Sequence, residues 1–276
     1  MNIDAEIQHV LLDIEGTTCP VSFVGEILFP YASEQVLPYL KKHQAEDLIK
    51  RLLVDIHNAW RCETCPEAIE LAKNLPIRNT PSEPSSFDNI SALSQALSAE
   101  DASIYLHWLI KEDRKLTVLK DLQGLIWEEG YKEGILIAPL FTDVPDALRR
   151  WHGQDLKLAV YSSGSVKAQK LLYSHTNHGN LSHFFTHWFD THTGPKKDPD
   201  SYARIATALQ AKPENIVFIS DSPGELKAAK ATGLNVLFSD RPGNTYQNTI
   251  GFPSTQTFAD ITFNTKHIPP DPTEDP

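Results

Sequence analysis

The segment VLLDIEGTT, residues 10–18, determines how the rest of this chain is interpreted. Its first three residues are apolar and predict a short buried strand. Two acids, Asp13 and Glu15, follow where this strand ends, and Gly16 after them permits a sharp turn. Because the carboxyl ends of parallel strands face the crevice where open α/β sheets bind ligands, we expect both acids at a ligand site. Two carboxylates with nearby oxygens suit Mg²⁺ better than zinc.

The C-terminal half of the chain alternates strand and helix patterns. Apolar runs at residues 156–161, 216–219 and 235–238 predict strands, and the segments between them carry apolar residues at helical spacing. Asp143 precedes one such helical segment at a position from which it can cap the helix. Alternation of this kind predicts a parallel sheet with right-handed crossovers. The predicted fold class is therefore α/β, with a doubly wound parallel sheet.

Residues 22–135 interrupt this pattern with a long helical region. One apolar stripe at helical spacing consists of Leu48, Ile49, Leu52, Leu53, Ile56 and Trp60. Three prolines mark residues 76–87 as a connecting loop. We therefore expect residues 1–21 and 136–264 to form the core and residues 22–135 to form an inserted helical cap. The proline-rich tail, 265–276, is expected to be disordered.

The charge of the chain limits its classes of partner. It carries 36 acidic and 25 basic residues, a formal net charge of -11, and no run of lysine or arginine stands out. Nucleic acid and anionic membranes are therefore not expected as partners. The N-terminus has no apolar signal region, and no stretch of about 18 apolar residues predicts a membrane span. We expect a monomer that acts on a small molecule.

The cysteines indicate a reducing compartment. Cys19, Cys62 and Cys65 are an odd and sparse set for a disulfide framework, and a cytoplasmic location fits them best. Cys62 and Cys65 form a C-x-x-C motif, but no second ligand pair accompanies it. A zinc or redox role is therefore not expected.

Residues that can take part in binding or catalysis recur at the predicted strand ends. The set comprises Asp13, Glu15, Ser162, Ser163, Gly164, Lys196, Asp221 and Glu225. It suits phosphoryl transfer, because a carboxylate can attack phosphorus while Mg²⁺ and a lysine neutralise the two anions that meet. Hydroxyl and N–H groups at a helix N-terminus can hold the phosphate oxygens.

Each of these groups also has an ordinary structural explanation. Ser162 and Ser165 can cap a helix, and Asp221 can cap the next one. Lys196 can be an exposed loop charge, and Glu225 can lie on the exposed face of a helix. The functional interpretation depends on the order of the groups and on their common placement at strand ends.

This order of acid pair, hydroxyl, lysine and acid resembles that of the haloacid dehalogenase superfamily. The resemblance narrows to the enolase-phosphatases of the methionine salvage pathway in the segments LLDIEGTTCPVSFVGEILFPY, VYSSGSVKAQKLL, FDTHTGPKKDPDSY and FISDSPGELKAAKATG. It covers nearly the whole chain, including LQGLIWEEGY in the helical insert. It implies a Rossmann-like core with an inserted all-helical cap. It also implies Mg²⁺-dependent conversion of 2,3-diketo-5-methylthiopentyl-1-phosphate to the acireductone 1,2-dihydroxy-3-keto-5-methylthiopentene and phosphate.

The resemblance implies roles for the acids and the serines. It makes Asp13 the nucleophile, which forms an aspartyl-phosphate, and also a Mg²⁺ ligand. Glu15 becomes the general acid/base and a metal-site residue, through its side chain or its backbone carbonyl. Asp221 becomes the third metal ligand, and Ser162 and Ser163 hold the phosphate.

The resemblance also chooses between two adjacent lysines. The T-x-x-G-x-K spacing of the family runs over residues 191–196, which favours Lys196 over Lys197 as the catalytic and phosphate-binding cation. Gly164 and Glu225 take supporting positions. The cap, rather than the core, is expected to set the substrate.

Other functions share parts of this pattern. A phosphatase of the same superfamily without the enolase step is the nearest alternative, and a receiver-type signalling domain phosphorylated on Asp13 is a non-enzymatic one. Receivers do not accommodate a helical insert of this length, and a dehalogenase is disfavoured by Glu15 and Asp221. No residue pattern identifies the base for enolisation. Glu128, Glu129 and His107 are candidates, although ordinary cap surface explains each of them better.

Overall fold

A computed structural model describes residues 2–73, 97–245, 247 and 251–264. The chain divides into two compact units, one made of Met1–Gly25 with Leu136–Pro276 and the other of Glu26–Ile135. The first unit contains the parallel sheet and the second is helical. The loop expected at 76–87 and the tail expected at 265–276 lie outside the described residues.

The described elements follow one another along the chain as strands and helices of moderate length. They are β1 (Asn2–Glu6), β2 (His9–Leu12), a π-helix (Phe23–Leu28), α1 (Phe29–His43), α2 (Asp47–Arg61), α3 (Pro66–Ala72), α4 (Ala99–Lys111), α5 (Thr117–Lys132), α6 (Val144–His152), β3 (Lys157–Tyr161), α7 (Val166–Ser174), β4 (Phe185–Phe189), α8 (Pro199–Ala208), β5 (Ile216–Ser220), α9 (Pro223–Ala231), β6 (Asn235–Ser239), β7 (Ser254–Thr255) and β8 (Thr262–Asn264). Short 3₁₀ turns precede β4, β5 and β8.

The main sheet has six parallel strands in the order β4-β3-β2-β5-β6-β7. Its central strand, β2, is buried along its whole length, as expected for a parallel strand with both faces covered. Leu12 lies opposite Val160 of β3 and Ile219 of β5. The residues that follow these three strands therefore meet at one edge of the sheet. The predicted α/β fold with a doubly wound parallel sheet is confirmed.

Some strands were not predicted from the sequence. In β4 the ends, Phe185 and Phe189, are buried whereas Thr186 and His187 are exposed, so the segment has no continuous apolar run. β1 and β8 form a separate two-stranded parallel sheet, and β8 is only three residues long. Such short pairs carry little periodic signal in the sequence.

The helical unit is built around its own core. Trp60 stacks on Tyr105 with ring centroids 4.8 Å apart, and Tyr105 stacks on Trp108 at 5.8 Å. The described residues of this unit contain no strand, in line with their helical periodicity. The prediction was wrong for one member of the apolar stripe. Leu48 is 57% exposed, because it lies in the first turn of α2 at the edge of the stripe.

The prediction that Asp143 caps α6 was also wrong. It occupies the N-cap position, but its carboxylate makes no capping hydrogen bond. Instead Asp143 accepts two hydrogen bonds from Arg241 Nη1, at 2.8 and 3.0 Å, and one from the backbone N–H of Phe258. A long-range ion pair has therefore replaced the local cap. None of the helices in the described part of the chain is long and apolar enough to cross a bilayer.

Candidate active site

Asp13 lies at the centre of the carboxyl edge of the sheet, directly after β2. Its side chain is buried, with one oxygen, Oδ1, accepting hydrogen bonds from Lys196 Nζ at 2.7 Å and from the backbone N–H of Ile14 at 2.8 Å. The other oxygen lies 3.1 Å from the hydroxyl of Ser220, at the end of β5. These contacts hold the carboxylate in one orientation, which a nucleophile requires.

Lys196 joins two acids from different elements, Asp13 directly after β2 and Glu225 in the first turn of α9. Its ammonium lies 2.7 Å from Asp13 Oδ1 and 2.7 Å from Glu225 Oε2. Burial disfavours the ammonium, but the two carboxylates outweigh burial and raise the pKa of Lys196, so the lysine stays charged. Burial and the Asp13 charge raise the pKa of Glu225 to about 7, although Lys196 opposes the rise. Glu225 is therefore not an exposed helical acid.

The backbone before Lys196 is held by three hydroxyl groups. Tyr161 donates to the carbonyl of Gly194 at 2.9 Å, Ser201 to that of Pro195 at 2.8 Å, and Tyr202 to that of Lys196 itself at 2.7 Å. Three consecutive carbonyls are thus fixed by side chains from β3 and α8. The lysine is positioned by this network.

Asp221 follows β5 and lies against the turn that carries Glu15. Gly16 in this turn has a φ of +63°, and a Cβ there would lie 2.1 Å from Asp221 Oδ2. Burial and the Asp13 charge raise the pKa of Asp221 to about 7, with Glu15 adding to the rise and Lys196 opposing it. Several carboxylates therefore share a space in which the Lys196 ammonium offsets part of their charge.

The donor set fits a Mg²⁺ ion bound partly through water. Within the described ranges, no three His, Cys, Asp or Glu side chains form a metal-ligand cluster. Mg²⁺ commonly takes only one or two carboxylates and keeps several waters. Asp13 and Asp221 can supply those carboxylates. Burial and, after it, the charge of Asp13 raise the pKa of Asp221, and a divalent cation bound there would favour the ionised carboxylate.

The serine loop after β3 divides into residues with different surroundings. Ser162 is buried; its N–H donates to the carbonyl of Phe189 at 3.2 Å and its hydroxyl accepts from the N–H of Gly164 at 3.3 Å. Ser163 is exposed. Ser165 caps α7 by accepting from the N–H of Ala168 at 3.3 Å, so the capping explanation is confirmed for this serine.

The last residue of β6 and the loop after it contribute site residues that the sequence analysis missed. Ser239 Oγ and Asn244 Nδ2 both donate to the carbonyl of Gly16, at 3.2 and 2.8 Å, and Arg241 Nε donates to that of Thr17 at 3.1 Å. The signal was available, because these residues follow the predicted strand at 235–238 and so lie at the same sheet edge as Asp13.

The candidate enolisation bases all make contacts within the helical unit. Glu129 pairs with Lys42 at 2.9 Å and with His43 at 2.7 Å, and Glu128 pairs with Lys132 at 2.6 Å. His107 is exposed, and its Nε2 lies 3.0 Å from the carbonyl oxygen of Ser33. Such contacts are typical of the surface of a helical unit. They do not identify Glu128, Glu129 or His107 as the base for enolisation.

The fold and the placement of polar groups at one sheet edge define a class of hydrolase. The model of the family "haloacid dehalogenase-like hydrolase" matches residues 7–233. A solved structure, the UTR4 protein of Saccharomyces cerevisiae, superposes with a TM-score of 0.69 at 29% identity, covering 92% of this chain and all of that one.

Curated relatives narrow the class to one family. The Enolase-phosphatase E1 of Parasynechococcus marenigrum is 46% identical over 243 residues, which is 88% of this chain and 92% of the relative. The Enolase-phosphatase E1 of Drosophila willistoni is 40% identical over 239 residues, covering 87% and 89%. The chain therefore belongs to the enolase-phosphatase E1 family of haloacid dehalogenase-like hydrolases. The resemblance inferred from the motifs is confirmed.

Proposed function

We propose that this protein is a Mg²⁺-dependent, bifunctional enolase-phosphatase of methionine salvage. Its substrate is 2,3-diketo-5-methylthiopentyl-1-phosphate, and its products are 1,2-dihydroxy-3-keto-5-methylthiopentene and phosphate. The observation that carries the phosphatase half is the buried Asp13 with Lys196 at 2.7 Å and Asp221 beside the Gly16 turn. The choice of this substrate is based on membership of the enolase-phosphatase E1 family.

Asp13 is the nucleophile in this proposal. One of its oxygens attacks phosphorus, the bond from phosphorus to the ester oxygen breaks, and the leaving enol oxygen takes a proton from Glu15. Water then attacks the aspartyl-phosphate, Glu15 accepts the proton of this water, and free phosphate leaves while Asp13 is regenerated. The charge of Lys196 stabilises the anion that develops during transfer.

The remaining site residues bind the phosphate group of the substrate and the Mg²⁺ ion. Ser162, Ser163 and Gly164 hold the phosphate oxygens at the N-terminal end of α7, with Glu225 fixing Lys196. Asp13, Glu15 and Asp221 would hold Mg²⁺, which supplies charge neutralisation at the phosphate when bound. Enolisation comes first in this proposal: C1 loses a proton to a base that is not assigned and the C2 carbonyl oxygen gains one, so the group that later leaves phosphorus is an enol oxygen rather than an alkoxide.

The test is an assay of the full-length protein on the diketo phosphate with Mg²⁺, following phosphate release and the ultraviolet absorbance of the enediol together. Both signals should rise, and Asp13→Asn should abolish phosphate release because it removes the attacking charge. Phosphate release without the enediol would identify a phosphatase of the same superfamily without enolase activity. Full turnover by Asp13→Asn would contradict the assignment of the nucleophile.

We also propose that the enzyme works as a monomer in the cytoplasm. Cys19, Cys62 and Cys65 are all free thiols, which supports a reducing compartment. Light scattering on the purified protein tests the monomer, and a dimer mass at micromolar concentration would contradict it.

A further inference from the structure

The side chain of Asn244 lies between two segments that carry proposed metal ligands. Its Nδ2 is 2.8 Å from the carbonyl oxygen of Gly16, in the turn after β2, and 3.4 Å from Asp221 Oδ2, after β5. Both neighbours are hydrogen-bond acceptors, so the NH₂ group rather than the amide oxygen must face them. An NH₂ group has two hydrogens, which suffices for one short bond and one longer one.

Close packing makes this contact sensitive to the position of each partner. A Cβ on Gly16 would lie 2.1 Å from Asp221 Oδ2 and 2.8 Å from Asn244 Nδ2. The Gly16 backbone, the Asp221 carboxylate and the Asn244 amide therefore touch one another with no room for a methyl group. A shift of any one of the three displaces the others.

We infer that Asn244 is a positioning residue for Asp221 as a ligand of the divalent cation, an inference that rests on the function proposed above. A neutral donor suits this role, because it orients the carboxylate without removing the negative charge that Mg²⁺ needs. The amide occupies Oδ2 and leaves the remaining lone pairs of Asp221 for the cation. By joining Asp221 to the Gly16 carbonyl, Asn244 also ties both ligand-bearing segments together.

Ser239 provides a matched comparison in the same structure. Its hydroxyl donates to the same Gly16 carbonyl, at 3.2 Å, and this bond uses its single hydrogen. Ser239→Ala therefore removes support for the turn but no contact to Asp221. Asn235→Ala removes a different asparagine donor. Asn235 is the first residue of β6, at the end of the strand away from Ser239, and its Nδ2 donates to the carbonyl of Glu214 at 2.7 Å.

The experiment measures Mg²⁺ binding to the metal-free, full-length protein by isothermal titration calorimetry, independently of activity. Asn244→Ala should raise the Kd for Mg²⁺ by about tenfold or more, the scale found for residues that orient metal ligands. Asn244→Leu, which keeps nearly the same shape without either hydrogen, should do the same and serves if the alanine variant folds poorly. Asn235→Ala should leave the Kd unchanged, and Ser239→Ala should change it far less than Asn244→Ala. Excess Mg²⁺ should restore most of the turnover of Asn244→Ala.

Two results would overturn the inference. Equal loss of Mg²⁺ affinity in Ser239→Ala and Asn244→Ala would show that support of the Gly16 carbonyl accounts for the whole effect. An unchanged Kd in both Asn244 variants would show that Asp221 needs no such support. If the unmodified protein binds no Mg²⁺, both this inference and the metal in the proposed function fail, whereas failure of the variants alone leaves the proposed function intact.

Discussion

The Lys196 ammonium lies 2.7 Å from Asp13 Oδ1, although 183 residues separate the two in the chain. The parallel sheet makes this possible, because it brings the residues after β2 and before α8 to one edge. Glu225 Oε2 also lies 2.7 Å from the ammonium. The lysine and the two acids therefore form a charged cluster within the core unit.

Lys196 should be essential for turnover while its neighbour is not. Lys196→Ala removes the ammonium beside the nucleophile, and we expect kcat/KM to fall by about a hundredfold or more, the scale of electrostatic groups in active sites. Lys197 is exposed, so Lys197→Ala should change little. Steady-state assays of both variants measure this, and the reverse order would show that the other lysine is the catalytic one.

Gly16→Ala should damage the site more than it damages the fold. The new Cβ would meet Asp221 Oδ2 at 2.1 Å, so the carboxylate must move, and Mg²⁺-dependent turnover should fall at least tenfold. Gly134→Ala is the matched control, because Gly134 has a φ of +72° and open space at its Cβ position. Both variants should lose about 1–2 kcal/mol from the left-handed backbone, measured by urea unfolding. Loss of turnover in Gly134→Ala as well would show that general destabilisation is the cause.

The ion pair of Asp143 and Arg241 should make stability depend on acid pH. Burial opposes ionisation of Asp143, but hydrogen bonds from Arg241 and the Phe258 N–H outweigh it and hold the pKa of Asp143 below its ordinary value of 3.8. The folded state therefore binds this proton less readily than the unfolded state. The contribution is fully present above the unfolded value and is lost as the pH falls through the folded pKa.

Asp143→Asn tests this pH dependence. At pH 7 it should cost about 3–5 kcal/mol, because the Arg241 charge stays buried without its partner. The difference from the unmodified protein should shrink in urea titrations repeated at pH values below 3.8, as the pH falls through the lowered pKa of Asp143. Asp146→Asn is the control. The Asp146 side chain is 81% exposed, so its ion pair with Arg149 should contribute only about 0–1 kcal/mol to the free energy of unfolding. A difference that does not vary with pH would contradict the ionic explanation.

Two leucines of α2 should respond differently to truncation. Leu53 is buried in the core of the helical unit, and Leu53→Ala should cost about 2–5 kcal/mol by leaving a cavity. Leu48 is 57% exposed, and Leu48→Ala should change the free energy of unfolding by less than about 0.5 kcal/mol. Urea unfolding followed by tryptophan fluorescence measures both, and similar losses would show that Leu48 is buried in solution.

Much of the fold was predictable because local patterns agreed with the tertiary structure. The apolar runs at 216–219 and 235–238 are strands β5 and β6, since a parallel strand covered on both faces needs continuous apolar residues. β4 was missed because only its ends, Phe185 and Phe189, are buried. Asp143 was assigned to a local cap because its partner, Arg241, lies 98 residues further along the chain.

The sequence by itself determined the chemical types at the strand ends, their order, and the helical insert between the first strand and the rest of the sheet. These follow from residue identity and periodicity, which do not depend on distant neighbours. Only the tertiary structure decided which groups touch. It showed that Glu225 pairs with Lys196 rather than with water, and that Asn244 bonds Gly16 beside Asp221. Those contacts arise from strand order and register, and a linear pattern does not contain the distances between separate strand ends.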